Sequence, residues 1–454
     1  MYRLLFTSWL VLFSVFVFAQ DDSIFIRRIA DEILVNGKAY DNLHTLTKTV
    51  GGRLSGSPQT YKAEEWGQKA LRDAGADKVY LQQCVIPHWV RGGKDEGKLI
   101  AGSKKIPLRV LALGNSVSTS PKGIVAPALL INSFEELEQR KNEVKGKIIF
   151  YNYKFNPKLV RTFFAYADAV RYRAEGASRA AKYGAVATLV RSMTESGDNV
   201  PHTGAMVYND SFPKIPTLAV GLLDADKIVS AFQQNKNISL FLKTNAHALP
   251  DTVGYNVIGE ISGSESPEQF ITVGGHLDSW DPAEGAHDDG AGCVHSIEVL
   301  RALHAVGYKP KHTIRIILFA DEENKGGGAS KYLADIKSKQ EKHLFALESD
   351  AGGFTPRSFN MKLADERLEK ARRWIPLLQE YGVYEFLAGD GGADVSPLND
   401  SLHVPVAELV PDSQRYFDYH HAATDVFENV NKRELELGAI NMAALIYLVD
   451  KYGL

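Results

Sequence analysis

Acidic and imidazole side chains cluster at three points between residues 271 and 323. The apolar run at 271–275 ends in His276-Leu277-Asp278, and Asp288-Asp289 lies in a glycine-rich loop. The third cluster, Asp321-Glu322-Glu323, follows the apolar run at 314–320. Imidazole and carboxylate ligands together suit zinc. The residue types and their order therefore predict a metal site that draws ligands from three segments of the chain.

Buried strands are predicted to position these clusters. The apolar runs at 271–275 and 313–320 indicate strands, and the periodicity at 294–300 indicates a helix between them. In open α/β sheets, sites form outside the carboxyl ends of the strands. We therefore expect the clusters to meet at one sheet edge. Another apolar run, at 343–348, is predicted to bring Asp350 to the same edge.

The residues of the clusters suggest a division of roles. Two zinc ions need a shared carboxylate, and Asp288 in its glycine-rich loop is placed to bridge them. Adjacent side chains at the end of a strand diverge, so one of Glu322 and Glu323 can bind metal while the other stays free as a base. We expect Asp278 to accept the second ring N–H of His276. Lone acids in loops are commonly just solvated, but an ordered set at strand ends argues against that interpretation.

Five motifs carry a resemblance to a known family. They are His276-Leu277-Asp278-Ser279-Trp280-Asp281, Asp288-Asp289-Gly290, Glu322-Glu323, Glu348-Ser349-Asp350 and Tyr416-Phe417-Asp418-Tyr419-His420-His421. On these motifs the chain resembles the co-catalytic zinc exopeptidases of the aminopeptidase and glutamate carboxypeptidase type. The resemblance covers nearly all of the chain after residue 19. It implies an α/β fold, in which helices flank a mixed central sheet.

The resemblance also implies a full set of site residues and two zinc ions per chain. The implied ligands are His276, Asp288 and Asp350 for one ion, and Asp288, Glu323 and His421 for the other. Glu322 is implied as the general base, which takes a proton from a water between the metals and passes it to the leaving amine. Asp278 completes the catalytic candidates, and the Asp288-Asp289 peptide bond is expected to be cis.

Neighbouring histidines leave the ligand choice open from spacing alone. His420 precedes His421, and the family pattern of a histidine four residues before an aspartate selects His421 through Asp425. His287 lies beside Asp288, where the family varies, so we expect that it is not a ligand. Tyr419 either contacts a reaction intermediate or packs.

Composition and the amino-terminal segment predict an exported protein. The 454 residues are 44% hydrophobic and 24% charged, with a formal net charge of −3, which gives no argument for binding nucleic acid or an anionic membrane. Residues 1–19 combine Arg3, an apolar run and a terminal Ala19, which is typical of a cleaved signal peptide. An uncleaved anchor is the alternative. We expect a secreted or periplasmic protein that is free of the membrane after cleavage. Cys84 and Cys293 are expected to be buried thiols, with a disulfide between them as the alternative.

The chain is expected to divide into a peptidase domain and an insert. After the signal peptide, residues 20–108 and 250–454 are assigned to the peptidase domain. Residues 109–249 show short strand-like runs between turns and resemble a protease-associated domain. The alternative is a longer peptidase domain without an insert.

The expected function is hydrolysis of short peptides by a dipeptidase or carboxypeptidase. The alternatives are an aminopeptidase of the same family, a single-zinc glutaminyl cyclase, and a non-catalytic binding protein on this fold. Presence of all five ligands and the base argues against the last. Candidate substrate contacts are Asp394, Tyr419 and His202, with Arg173 and Arg191 as further polar groups for free peptide ends. The resemblance implies a homodimer.

Overall fold

The computed structural model describes residues 21–234 and 237–454. Its strands are β1 Lys78–Val90, β2 Glu96–Ala101, β3 Lys104–Leu108, β4 Val110–Ala112, β5 Ile124–Ile131, β6 Ile148–Tyr151, β7 Ala187–Arg191, β8 Thr217–Val220, β9 Ser239–Lys243, β10 His247–Ile261, β11 Ser266–His276, β12 His312–Phe319, β13 Lys342–Glu348, β14 Pro356–Lys362, β15 Glu385–Ala388 and β16 Val406–Pro411. Its helices are α1 at 21–36, α2 Ala39–Thr45, α3 Pro58–Asp73, α4 Phe134–Gln139, α5 Thr162–Ala174, α6 Gly176–Ala181, α7 Leu222–Gln234, α8 Ala291–Ala305, α9 Gly327–Lys339, α10 Asp365–Arg372, α11 Ile375–Leu378, α12 Ser396–Leu402, α13 Tyr416–Tyr419 and α14 Lys432–Tyr452.

The first sheet is mixed and has the strand order β1-β10-β12-β11-β13-β16-β14-β15. Its centre, from β12 through β11 and β13 to β16, is parallel, and its flanks include antiparallel pairs. The central strands are buried on both faces, which is why they read as continuous apolar runs in the sequence. Helices α8 and α14 pack on one face, and α9 and α12 pack on the other. The predicted α/β class, with a mixed central sheet between helices, is confirmed.

A second mixed sheet has the order β3-β2-β9-β5-β6-β7-β8-β4. Its middle strands, β5 to β8, are parallel and are covered by helices α5 to α7 and by two further apolar clusters. Strands β2 and β3 belong to this sheet, although both precede the expected boundary at Arg109. The first sheet resumes at His247, which pairs with Val90. The second sheet therefore begins before residue 109, and the division into a peptidase domain and an insert stays a prediction.

Three smaller expectations concern the ends and the cysteines. Cys84 and Cys293 are both buried and free, so the prediction of unpaired thiols is confirmed. The predicted signal peptide lies outside the described residues. Within 21–234 and 237–454, no helix is long and apolar enough to cross a membrane.

Candidate metal centre

The acidic and imidazole clusters meet at the carboxyl edge of β11, β12 and β13. His276 is the last residue of β11 and pairs with Phe319 at the end of β12. The chain after β12 turns through Asp321, whose φ of 64° is left-handed, before it reaches Glu322 and Glu323. Both glutamates follow the end of β12 and the turn at Asp321, so they are not the adjacent strand residues that the sequence led us to expect.

Two histidines face the two oxygens of one carboxylate. His276 Nε2 lies 3.3 Å from Asp288 Oδ1 and 3.3 Å from Asp350 Oδ1. His421 Nε2 lies 3.2 Å from Asp288 Oδ2 and 3.0 Å from Glu323 Oε2. We call the first group the His276 half-site and the second the His421 half-site, with Asp288 shared. The five residues proposed as ligands are thus brought together in two sets, as the family pattern implies.

These atoms fit a metal better than they fit each other. Within the described structure, four side-chain atoms of the proposed ligands are buried without a hydrogen-bond partner, namely His276 Nε2, Asp288 Oδ2, Glu323 Oε1 and Asp350 Oδ1. Buried polar atoms normally have partners, and unpaired ones are costly. Imidazole nitrogens and carboxylate oxygens are the donors that zinc takes in such sites. The residues present therefore fit zinc at both half-sites.

Asp289 and His420 are the nearest alternatives to this ligand set. Asp289 lies within reach of His276 and Asp350, but its two oxygens already accept the backbone N–H of His276 at 3.0 Å and of Gly292 at 2.9 Å. His420 Nε2 is 3.7 Å from Asp288 Oδ2, and its ring stacks on His421. Because His421 contacts both Asp288 and Glu323, it is the better candidate. The Asp288-Asp289 peptide bond is cis.

His287 and Asp425 support the loop that carries Asp288. The two ring nitrogens of His287 are both engaged, Nδ1 by the backbone N–H of Gly353 and Nε2 by the carbonyl of Asn429. This leaves no free nitrogen for a metal. The Asp425 carboxylate accepts the backbone N–H of His287 at 2.7 Å and of Asp288 at 3.1 Å. It thereby fixes the orientation of the shared ligand.

Asp278 contacts both His276 and the glutamate pair, through different atoms. The Nδ1 of His276 lies 3.0 Å from the backbone carbonyl of Asp278, whereas the Asp278 carboxylate is 3.7 Å away. That carboxylate instead accepts the backbone N–H of Glu322 at 3.0 Å and of Glu323 at 3.4 Å. Asp278 is therefore the expected partner of the His276 imidazole, but through its backbone carbonyl, because its carboxylate accepts the backbone N–H groups that follow Asp321. Asp278 thus orients the glutamate pair.

Glu322 faces the His276 half-site without belonging to it. Its Oε2 is 3.9 Å from His276 Nε2, and its side chain remains 25% exposed to solvent. Burial raises the pKa of Glu322 well above its usual value; His276 opposes this rise, and the carboxylate of Asp350 adds to it. A carboxyl group with a raised pKa beside the ligands suits proton transfer.

The candidate substrate contacts lie around this centre. Asp394 is 2% exposed, and its Oδ2 has no hydrogen-bond partner within the described residues. The Glu348 carboxylate holds its loop by accepting three backbone N–H groups, those of Ala393, Asp394 and Val395. His202 Nδ1 donates to the carbonyl of His420 at 2.8 Å, and burial lowers the His202 pKa to about 4.

Tyr416, in the same motif as Tyr419, is influenced by the acids of the centre. Tyr419 is half-buried, and its ring stacks on His287 at 5.4 Å. Burial and the carboxylates of Asp288 and Asp350 raise the pKa of Tyr416 well above its usual value. Sequence reasoning missed Tyr416, although it lies within the quoted motif, because spacing does not show which way a short helix turns its side chains.

Arg53 is a second residue that the sequence did not single out. Its side chain is fully buried and donates to the backbone carbonyls of Leu277, Glu284 and Gly285. It therefore fixes both ends of the loop that joins His276 to Asp288. A lone arginine in a segment rich in glycine and serine carries no recognisable sequence signal.

The part of the chain from β2 to β9, which forms the second sheet and which we call the second-sheet region, packs directly against the His421 half-site. The backbone N–H of Thr203 donates to the carbonyl of His421 at 2.9 Å. Rings of Phe155, Phe163 and Tyr166 pack on Phe417, with centroids 4.8 to 5.5 Å apart. The residues of this region therefore cover the site and hold the loop that carries its last ligand.

Comparison with known proteins agrees with this geometry. The model of peptidase family M28 matches residues 256–446. Carboxypeptidase Q of Homo sapiens is 36% identical over 421 residues, which cover 92% of this chain and 87% of that protein. The chain belongs to peptidase family M28. A crystal structure of a peptidase M28 precursor from Shewanella amazonensis is 31% identical and superimposes with a TM-score of 0.90, covering 95% of this chain and 97% of that one.

Membership of family M28 makes the chain a zinc-dependent exopeptidase that acts on peptides. A zinc aminopeptidase from Bacillus subtilis shares the fold, with a TM-score of 0.66 at 20% identity over 90% of this chain and 94% of that one. The two half-sites described above lie inside the region that the family model matches.

Proposed function

We propose that this M28 peptidase is an exported di-zinc enzyme that hydrolyses short peptides, as a dipeptidase or carboxypeptidase. The observation that carries the proposal is the shared carboxylate: Asp288 turns one oxygen to His276 and the other to His421. One carboxylate between two imidazole–carboxylate pairs is the arrangement that two adjacent zinc ions require. Zinc bound there would polarise the scissile carbonyl and lower the pKa of water.

The chain's own residues then move the proton and orient the substrate. Glu322 takes a proton from the attacking water and returns it to the leaving amine. Asp278 keeps Glu322 and Glu323 in place through their backbone N–H groups. Tyr416 and Asp394 line the same acidic centre and are proposed to contact the substrate.

Closure of the site supports a preference for short peptides. The region from β2 to β9 is proposed to be a protease-associated-like insert. It contacts His420, His421 and Phe417, and four of the five proposed ligands are buried, whereas Asp350 is partly exposed. A closed site excludes long chains, and it leaves polar groups unpaired when a peptide end is blocked. The 36% identity to carboxypeptidase Q supports the choice of carboxypeptidase or dipeptidase.

An aminopeptidase is the second candidate, and Asp394 favours it. Its buried, unpaired Oδ2 is suited to accept N–H groups of a substrate ammonium. Export and a homodimer remain parts of the proposal that rest on the amino-terminal segment and on the family resemblance, respectively. A non-catalytic role is disfavoured because the ligand set and Glu322 are complete.

A substrate panel tests this proposal. It compares free dipeptides, the same dipeptides acetylated or amidated, and aminoacyl chromogenic amides. We expect fast turnover of free dipeptides and a large loss when the carboxylate is amidated. Fast turnover of the chromogenic amides, with no loss on amidation, would instead establish an aminopeptidase.

A further inference from the structure

Arg173 of α5 reaches the His421 half-site from the second-sheet region. Its Nη1 lies 3.2 Å from His421 Nδ1, the ring nitrogen that does not face Asp288 and Glu323. Its Nε donates to the carbonyl of Ala205, and its guanidinium lies over the ring of Tyr166. The side chain is 7% exposed, and within 21–234 and 237–454 it forms no ion pair with a carboxylate. A buried cation therefore stands directly behind a proposed metal ligand.

The His276 half-site has an acceptor at the equivalent place. His276 Nδ1 lies 3.0 Å from the carbonyl of Asp278. A histidine that binds metal through Nε2 normally donates its Nδ1–H to such an acceptor, which orients the ring and raises its basicity. An arginine has five donors and no acceptor. At His421, an Nδ1–H would therefore face another donor.

The charge of Arg173 acts in the same direction as this donor–donor contact. A fixed cation one ring-width from a metal position repels a second cation there. At an effective dielectric constant of about 20, which suits partly buried sites, two charges at such a distance alter a binding constant by more than ten-fold.

Arg173 has little room to move away from His421. A Cβ atom on Gly204 would lie 2.3 Å from Arg173 Nη1 and 2.5 Å from His421 Nδ1. The backbone at Gly204, with a φ of 123°, therefore lies against the pair, and only glycine fits there. Arg173 is held between this backbone, the Ala205 carbonyl and the Tyr166 ring.

We propose that Arg173 is a positioning residue that weakens zinc binding at the His421 half-site. The inference rests on the proposed di-zinc function and adds an order to it. The His276 half-site fills first and holds its ion tightly. The His421 half-site fills second and exchanges its ion, because the docked insert keeps a cation behind its histidine.

Zinc titration of the metal-free protein against a chromophoric chelator tests the proposal. Wild type is expected to give two dissociation constants. Arg173→Gln, which keeps a side-chain N–H donor but no charge, should tighten the weaker constant by about ten-fold or more and leave the stronger unchanged. Arg173→Met, which keeps the aliphatic packing, should do the same. Arg173→Lys retains the charge and should keep the wild-type weaker constant.

The His421→Ala background assigns the effect to one half-site. There, a single tight constant should remain, and adding Arg173→Gln should not alter it. An unchanged or looser weaker constant in both neutral variants would show that Arg173 only supports His421. Equal tightening by Arg173→Lys would remove charge as the cause. A wild-type enzyme that is active with one zinc and binds no second ion would contradict the di-zinc proposal itself, before any variant is compared.

Discussion

His276 and His421 face the same carboxylate, but different parts of the fold hold them. His276 ends a central strand, and its second nitrogen meets a backbone carbonyl. His421 lies in a loop after α13, which Thr203 and His202 of the second-sheet region contact through the carbonyls of His421 and His420. One half-site is thus part of the rigid sheet, and the other depends on docking of a separate layer. We expect substitutions to separate the two accordingly.

Loss of the shared carboxylate should produce the largest effect. Asp288→Ala removes a ligand oxygen from each half-site, so both zinc ions should be lost and activity should fall to background. Metal analysis of the purified variant measures this directly. The matched control is His421→Ala, which should lower occupancy at one position only. Full occupancy by two ions in Asp288→Ala would refute the shared role.

Loss of the base should be the next largest effect. Glu322→Gln removes proton transfer but no proposed ligand, so both zinc ions and the fold should remain. Turnover should fall by about 10²- to 10⁴-fold. Steady-state kinetics with metal analysis on the same sample checks both halves of this expectation. A variant that keeps more than about a tenth of the activity would exclude Glu322 as the base.

Asp278→Asn should perturb the position of Glu322 and Glu323 at the end of the first sheet. In wild type, the two carboxylate oxygens of Asp278 accept the backbone N–H groups of Glu322 and Glu323, one each. The asparagine amide has only one oxygen that can accept them. We expect a loss of about 10- to 100-fold in turnover or in zinc affinity. Ser55→Ala, which removes only one donor to the same carboxylate, is the control and should cost less. An Asp278→Asn enzyme with wild-type kinetics would assign Asp278 a purely structural role.

The last expected effect concerns stability and not turnover. It is a pH dependence that comes from His202, in the region of the second sheet. Burial lowers the His202 pKa to about 4 from 6.5, so the folded state resists protonation that the unfolded chain accepts. Stability from this group is full above pH 6.5 and is lost as the pH falls towards 4, by at most about 3 kcal/mol.

Chemical unfolding of metal-free protein between pH 7 and 4 measures this contribution. His202→Gln keeps a donor for the His420 carbonyl and cannot be charged, so its stability should fall less steeply than that of wild type. Parallel curves for the two proteins would show that His202 does not contribute to the acid sensitivity.

The ligands of the His276 half-site could be expected from the residue pattern, those of the His421 half-site only through the family resemblance, and the contacts behind His421 not at all. Apolar runs that end in His276 and near Asp350 mark strand ends, and parallel strands bring such ends together. Arg173 lies 248 residues from His421, and no local pattern links them. Arg53 and the acceptor role of the Asp278 carboxylate escaped prediction for the same reason, because both depend on how loops fold back on the sheet.

The assignment of strands to the two sheets was also only partly predictable from the sequence. The first sheet was predicted through its buried strands, whereas the membership of β2 and β3 in the second sheet was not predicted. Their alternating, half-exposed residues fit either sheet equally well. Pairing between β1 and β10, which ends at Val90 and His247, marks the junction in the structure.

Crystallography of the zinc-loaded enzyme with anomalous data at the zinc edge tests the central claim most directly. Two anomalous peaks should appear, one between His276 and Asp350 and one between His421 and Glu323, with an oxygen of Asp288 on each. A single peak, or peaks bound by Asp289 or His420 in place of Asp288 and His421, would contradict it.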